Sequence, residues 1–402
     1  MPKTPRYLVG LDLGTSQTRC VVGIEENSRV RCVSYGAAGS GGWRKGVIVD
    51  QDPVVQSIEQ AVTEAEANGA MAVESAVVGV GATVESVTSR GGVMLPSGRP
   101  PIDRQALNTA VKAATRAQFG EDRMMLQAIP IDFAVDGQEG IRNPLGMTGR
   151  ALEAQVRLLT ASTQAHMNLT TVVNRAGLVV EETVFEPFAA ALAAIGEQER
   201  QMGVAVVDLG AGSTDLVAYL EDNLRVAASI PVGGLHFIRD VSQVLRTPEA
   251  EAERLVEQFG SVLSESTADN SRVDIPAAGS EPGLRDASRR TLNEILQARA
   301  EELLFYIERE LTRAGVAGQL IGGVVITGGL AKMTGLADLA ERLLHTSTRL
   351  GLPAPLYDLP EELDEPSWTT ANGLLLYAHR LRLHRQMERE NMTEWLRSVF
   401  GS

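Results

Sequence analysis

The strongest constraint on this chain is a duplication inside it. The run Val9-Gly-Leu-Asp-Leu-Gly-Thr-Ser-Gln-Thr-Arg-Cys-Val-Val returns about two hundred residues later as Ala205-Val-Val-Asp-Leu-Gly-Ala-Gly-Ser-Thr-Asp-Leu-Val-Ala. In both copies an apolar strand delivers an aspartate, a turn of glycine and hydroxyl residues follows, and a second apolar strand leaves. A repeat this widely spaced implies two related halves facing each other. A solenoid would repeat every ~20–50 residues. The chain is 402 residues long, enough for two or more domains.

The turns carry chemistry. A tight hairpin of Gly, Ser and Thr points unpaired backbone N–H groups outward, and these form a nest for phosphate oxygens. Gly14 and Gly210 allow close approach, while Thr15, Ser16, Ser213 and Thr214 add hydroxyls. Asp12 and Asp208 stand at the strand ends just before the turns. Two carboxylates facing a polyphosphate suit a hydrated Mg²⁺, which keeps waters and takes few protein ligands. For a single copy, a plain β-hairpin with Asp as turn former explains as much; two matching copies favour phosphate binding. Gly328-Gly329 follow an apolar run and precede a helix, so a flat adenine ring fits against them, as does a simple tight connection. Gly233-Gly234, before another helix, can meet a phosphate or ribose at that helix N-terminus.

Between the motifs, strands alternate with helices, which makes this an α/β chain. Strands are expected at Tyr7–Leu13, Arg19–Ile24, Val30–Tyr35, Ala76–Val80, Met124–Val135, Leu152–Thr160, Leu178–Thr183 and Val204–Leu220 (two strands and a turn), with a short buried one at Val324–Thr327. Asp52-Pro53 reads as the N-cap and first position of a helix ending at Asn68-Gly69. Further helices are expected at Ile102–Phe119, Gln164–Arg175, Leu235–Leu245, Pro248–Phe259, Ser288–Ala314, Leu336–Leu344 and from Thr369 onward. Ser264–Asp286, rich in Ser, Asp, Gly and Pro, reads as a surface loop.

Charge removes some function classes. Thirty-seven Lys and Arg against 51 Asp and Glu leave a net charge of -14. That balance opposes nucleic-acid binding, which needs cations to displace phosphate counterions. It equally opposes attachment to anionic lipid through overall charge. Two cysteines, Cys20 and Cys32, make no disulfide framework. No signal peptide or membrane-spanning run is expected, and the five histidines lack metal-ligand spacing.

The two Asp-Leu-Gly hairpins, Gly328-Gly-Leu-Ala-Lys-Met-Thr-Gly335 and Glu186-Pro-Phe-Ala-Ala-Ala together resemble the actin/Hsp70/sugar-kinase superfamily. Within it the chain is similar from end to end to the bacterial cell-division family FtsA. Lys45-Gly-Val-Ile-Val-Asp50, Asn143-Pro-Leu-Gly-Met-Thr-Gly149 and Ser367-Trp-Thr-Thr-Ala-Asn-Gly-Leu-Leu-Leu-Tyr377 carry that likeness, the second being the sharpest. The resemblance implies an actin-like fold of two duplicated halves with an FtsA-type inserted subdomain and a C-terminal amphipathic helix. Its expected parts are 1–83 with 163–195 and 367–390; the inserted 84–162; 196–234 with 315–366; 235–314; and the tail 391–402. It further implies ATP and Mg²⁺ in the cleft, with Asp12 and Asp208 as the phosphate-motif aspartates and Mg²⁺ held through water. Glu186 would orient the attacking water; an acidic residue at a helix start also has a purely electrostatic use. Gly14, Thr15, Ser16, Gln17, Gly210, Gly212, Ser213, Thr214, Gly233, Gly234, Gly328 and Gly329 would contact the nucleotide. One departure stands out: the family often carries a lysine in the first hairpin where this chain has Gln17. A missing cation beside the phosphates implies at most slow ATP hydrolysis, with nucleotide acting as a polymerisation ligand.

The tail carries a second signal. Met392, Trp395, Leu396, Val399 and Phe400 fall at i, i+3, i+4, i+7 and i+8, on one helical face. Such a stripe suits a membrane interface or the protein's own core. The family resemblance selects lipid, although the family tail is usually more basic and set on a longer linker. Full burial of a large apolar side chain is worth roughly 1.5–3 kcal/mol, so one tail binds weakly and many tails on one filament bind well. The resemblance also implies that the subdomain holding Arg289, Arg290 and Arg299 receives the C-terminal peptide of the tubulin-like GTPase FtsZ; a solvated helix face accounts for the same charges.

The expected role is therefore an ATP-binding, polymerising protein that tethers the FtsZ ring to the inner face of the cytoplasmic membrane at the division site and recruits further division proteins. A PilM-like pilus scaffold shares the fold but lacks the amphipathic tail. A small-molecule kinase shares the hairpins, but no segment here proposes a base or an acceptor site.

Overall fold

The computed structural model describes residues 7–400 except 28, 97, 99, 117–118, 277–283 and 354–355, and the side chains of 387–400 lie outside it. The duplication is a duplication of sheets. In the first half, β1 (Leu8–Leu13), β2 (Gln17–Glu26) and β3 (Arg29–Gly39) form an antiparallel meander. A short pair, β4 (Trp43–Arg44) and β5 (Val47–Ile48), leads to α1 (Gln51–Gly69), which returns the chain to β6 (Ser75–Val80), parallel to β1. A parallel neighbour requires such a crossover. The N-cap of α1 is Asp50, not Asp52, its side chain accepting from the Asp52 N–H at 3.3 Å.

An inserted antiparallel sheet follows, in the order β7-β10-β8-β9, from β7 (Glu85–Met94), β8 (Arg123–Val135), β9 (Gln138–Ile141) and β10 (Ala151–Ser162), with α2 (Arg104–Ala114) against one face. The helix is shorter than the apolar pattern suggests, because Asp103 caps it and Ile102 precedes the cap. The β7 strand has no expectation behind it: its exposed edge carries few apolar residues. The chain regains the first sheet through α3 (Thr163–Arg175) and β11 (Val179–Phe185), giving the order β11-β6-β1-β2-β3, and leaves through α4 (Glu186–Ala194) and α5 (Glu197–Met202).

The second half repeats the pattern. β12 (Val204–Leu209), β13 (Thr214–Leu220) and β14 (Asn223–Ile230) form the meander, and α6 (Gly234–Leu245) and α7 (Glu249–Phe259) follow. The expected loop at 264–286 instead contains β15 (Arg272–Pro276), paired with β16 (Leu284–Ser288). Val273 and Ile275 alternate inward there, a two-residue signal too short to show against the polar composition around it. Then α8 (Arg289–Arg313), β17 (Val324–Thr327), α9 (Leu336–Leu344) and β18 (Thr348–Leu350) complete the order β18-β17-β12-β13-β14. Strand by strand this matches the first sheet: two antiparallel pairs, then two parallel ones.

The halves join through α4 and the final helix α10 (Thr369–Phe400). Six of nine residues in α4 are alanine or proline, so its backbone lies close to its neighbours. Ala190, Ala191 and Ala194 belong to a core shared with Val204, Val206 and Val217 of the second sheet. On the other side Ala189 meets Ala371, Leu374 and Leu375 of α10. The expected tail at 391–402 continues α10 without a break as far as Phe400, and the side chains of Met392, Trp395, Leu396, Val399 and Phe400 lie outside the described residues. Cys20 and Cys32 are buried free thiols.

A Cβ on Gly373 would overlap the carbonyl oxygen of Ala189. Gly373→Ala therefore forces α10 away from α4 and should cost about 1–3 kcal/mol, read as a lower urea midpoint; an unchanged midpoint would contradict this packing.

Candidate functional site

The two turns meet at the bottom of one cleft of about 620 Å³. Strand β1 pairs with β2 so that Leu13 faces Thr18 and Asp12 faces Arg19, leaving Gly14–Ser16 as the connection. Strand β12 pairs with β13 so that Leu209 faces Thr214 and Asp208 faces Asp215, leaving Gly210–Ser213. A Cβ on Gly14 would stand 2.6 Å from the Gln17 carbonyl oxygen, and one on Gly210 2.9 Å from that of Ser213. A Cβ on Gly212 would stand 2.5 Å from Thr15 Oγ1, so glycine there lets the turns of the two halves touch.

Asp12, Gly14, Thr15, Ser16, Gln17, Glu186, Asp208, Gly210, Gly212, Ser213, Gly234, Gly328 and Gly329 all face this cleft. Thr214 and Gly233 do not line it. Thr214 is fully buried and donates to the Val232 carbonyl at 2.8 Å. Gly233 lies behind the second turn, where a Cβ would stand 2.6 Å from the Gly210 carbonyl oxygen. The first N–H groups of α6 serve that turn: Gly234 and Leu235 donate to the Gly210 and Ala211 carbonyls at 3.0 and 2.9 Å. Gly328 adopts φ +85 beside Asp208, whereas Gly329 has nothing within 4 Å of where a Cβ would be. That open face is the space a flat ring needs.

Four carboxyl groups converge. Glu186 opens α4 and reaches over the end of β6, where a Cβ on Gly81 would lie 2.5 Å from Glu186 Oε2 and 3.0 Å from Asp215 Oδ2. Asp215 accepts from Ser213 Oγ at 3.0 Å, the Ala82 N–H at 3.2 Å and the Ser229 hydroxyl. Asp208 accepts from Thr370 Oγ1 of α10. Burial pushes the Asp12 carboxyl up to about 7, with the Arg19 charge pulling it down and Asp208 pushing it up. Burial also raises Asp215 to about 6, against its hydroxyl donors. Glu186 is raised well above the usual carboxylate range by burial and then by Asp12, Asp215 and Asp208. Asp208 is raised by burial, offset by Thr370 and Arg19. A dication would relieve such a set, and Asp12 and Asp208, at the ends of the two matching strands, could face one through its water shell. Among the described residues no three His, Cys, Asp or Glu side chains form a direct cage.

Asp215 and Arg19 escaped sequence reasoning although both lie inside the duplicated run. Reading each hairpin as an antiparallel ladder would have found them, since they are the cross-strand partners of the two aspartates. Glu253 and Glu257 of α7, with Lys332, line the far side of the cleft; no local signal ties α7 to it. Arg289, Arg290 and Arg299 lie on α8 and do not line the cleft. Arg289 donates to the Phe259 carbonyl at 3.0 Å, Arg290 pairs with Asp269 at 2.6 Å, and Arg299 pairs with Asp240 at 2.6 Å.

These shifts set the pH dependence of the ligand-free chain. Below about pH 4 folded and unfolded chains both hold the Asp12 proton, and its contribution is fully present. Towards pH 7 the unfolded chain releases its proton first, so stability falls across the window. Asp12→Asn should flatten the urea midpoint between pH 4.5 and 8 and exceed the parent at the alkaline end; parallel curves would refute it.

Comparison with known proteins follows the same division. Residues 205–373 match the family model for cell division protein FtsA, and residues 81–160 match the model for the SHS2 domain inserted in FtsA. The cell division protein FtsA of Pseudomonas aeruginosa is 33% identical over 374 residues, covering 92% of this chain and 89% of that protein. That of Escherichia coli is 30% identical over 415 residues, covering 98% of each. Among solved structures, a PilM–PilN type IV pilus biogenesis complex aligns with TM-score 0.67 at 17% identity, covering 94% of this chain and 99% of that one. MreB5 of Spiroplasma citri bound to ADP aligns with TM-score 0.57 at 14% identity, covering 95% and 98%. These two establish an actin-like fold alone, while the sequence relatives reach further: the chain belongs to the FtsA family of bacterial cell division proteins.

Proposed function

We propose that the cleft binds ATP with Mg²⁺ and that the nucleotide-bound chain polymerises, tethering the FtsZ ring to the inner face of the cytoplasmic membrane at the division site. The observation that carries this is the meeting of two duplicated phosphate turns beneath an open glycine face. Thr15, Ser16, Gly212 and Ser213 would cradle the phosphates, and Gly329 would take the adenine. Mg²⁺, held through water by Asp12 and Asp208, supplies positive charge against the phosphate chain. Glu186 and Asp215 face the space beside the turns, where a water is to be oriented. Burial, with Asp12, Asp215 and Asp208 beside it, raises the Glu186 carboxyl well above the usual range and so disfavours the ionised form that would accept a proton from water. Its activation therefore depends on relief of the surrounding negative charge, which supports slow hydrolysis at most.

Lipid contact belongs in this reading to the apolar stripe Met392, Trp395, Leu396, Val399 and Phe400 at the far end of α10. No helix among the described residues is long and apolar enough to cross a membrane. The partners that fit the family are the FtsZ C-terminal peptide, further copies of the chain and other division proteins. The peptide site on α8 needs Arg289, Arg290 or Arg299 to exchange an internal partner for the peptide, since each is engaged within the chain.

Gly329→Ala should leave the urea midpoint within about 0.5 kcal/mol of the parent, since the site is open. It should nevertheless weaken ATP binding in a calorimetric titration by at least about tenfold; unchanged affinity would remove the adenine from this position. For the tether, the intact chain and one ending at Glu390 are sedimented with anionic liposomes, with and without ATP. Pelleting of the intact chain alone, enhanced by ATP, is expected. Equal pelleting of both would end the lipid assignment.

A further inference from the structure

The facing pairs of the two hairpins differ in charge at one position. Asp208 lies across from Asp215, whereas Asp12 lies across from Arg19. Both partners line the cleft, so one half contributes an anion and the other a cation at equivalent places. The lysine expected in the first hairpin is absent, and Gln17 at that position is exposed.

Arg19 is built in but not used up. Its side chain is 14% exposed, and its guanidinium lies 4.0 Å from Asp12 Oδ2. A hydrogen-bonded ion pair closes to about 2.7–2.9 Å. Nη2 donates to Gln17 Oε1 at 2.7 Å. The guanidinium carbon sits 5.4 Å from the Trp368 ring centroid, and that indole is itself packed edge-on against Tyr35 at 5.6 Å. Nε is buried with no acceptor among the described residues. A buried donor without a partner carries a desolvation cost that an incoming acceptor relieves.

We propose that Arg19 is the phosphate-facing cation of this cleft, oriented by Gln17 and Trp368, and that it replaces a lysine at position 17. Gln17 is then a positioning residue that fixes the guanidinium. Arginine suits the task because its planar fork grips phosphate oxygens in pairs and keeps its charge when buried. The neighbouring carboxyl groups gain from it too, since without Arg19 a polyanion would enter an entirely acidic floor. The proposal rests on the nucleotide reading of the cleft and deepens it.

Calorimetric titration with ATP and with adenosine, on the intact chain, tests it. Arg19→Gln should weaken ATP by roughly tenfold to a hundredfold, the value of a charged hydrogen bond, and leave adenosine unchanged. Arg19→Lys should fall between. Adding Gln17→Lys to Arg19→Gln should restore most of the ATP affinity, because a cation returns to the same turn. ATP affinity within twofold of the parent in Arg19→Gln would overturn the proposal while leaving the nucleotide reading intact. Equal weakening of ATP and adenosine would also overturn it, showing a structural role. A parent chain that binds neither ligand would fail the reading itself and the proposal with it.

Discussion

Four carboxyl groups brought together at the floor of one cleft are an unfavourable arrangement that the fold must enforce from outside. Asp12 and Asp208 are fixed by the pairing of buried strands, Asp215 by the same ladder that positions Asp208, and Glu186 by the start of an alanine-rich helix. None of their Cα positions can move apart without breaking a strand or a core. The surroundings moderate the repulsion with hydroxyl donors and one arginine, while burial, more than the neighbouring charges, pushes Asp12 up to about 7 and Asp215 up to about 6. An acidic site of this kind is poised for cations and for ligands that bring cations with them.

How much of this was legible in the sequence depends on the range of the interaction. Asp12, Asp208 and the turn glycines could be read because each copy of the run validates the other. The sheet order was not legible there, because the parallel neighbours β6, β11, β17 and β18 lie outside the duplicated run. Arg19 and Asp215 carry no signal in their own spacing, since what brings them to the cleft is register across a turn. Glu186 could be singled out only through the family resemblance; its acidity depends on contacts with residues from three other segments. Glu253 and Glu257 read as helix surface, and only the packing of α7 brings them to the cleft. Gly233 and Thr214 show the converse error: they belong to the right motif, but serve its architecture instead of its exposed face.

The inserted sheet also relates the halves. One face packs on α2, while Leu159 on the other joins the core that includes Val217, Tyr219 and Leu224 of the second sheet. At its rim Arg142 reaches Glu221 in the β13–β14 turn at 2.5 Å, an exposed pair worth little by itself. Nearby, the Arg157 guanidinium is partly buried, and burial together with Arg225 across the seam lowers its hold on its proton. Apolar contact therefore holds this seam, and its charges do not strengthen it greatly.

Helix α10 adds a second tie between the halves. Its first turn carries Thr370, bonded to Asp208 in the second half, while the following turns are clamped against α4 of the first. Its 32 residues extend for about 48 Å without interruption. Contacts with the first half continue along it through Tyr377, which donates to Glu182, Arg382, which donates to the Tyr7 carbonyl, and Arg385, which pairs with Glu181. The helix begins beside the two glycine turns, where Thr370 lines the cleft. One helix start thus serves the cleft through Thr370 and the first-half core through Ala371.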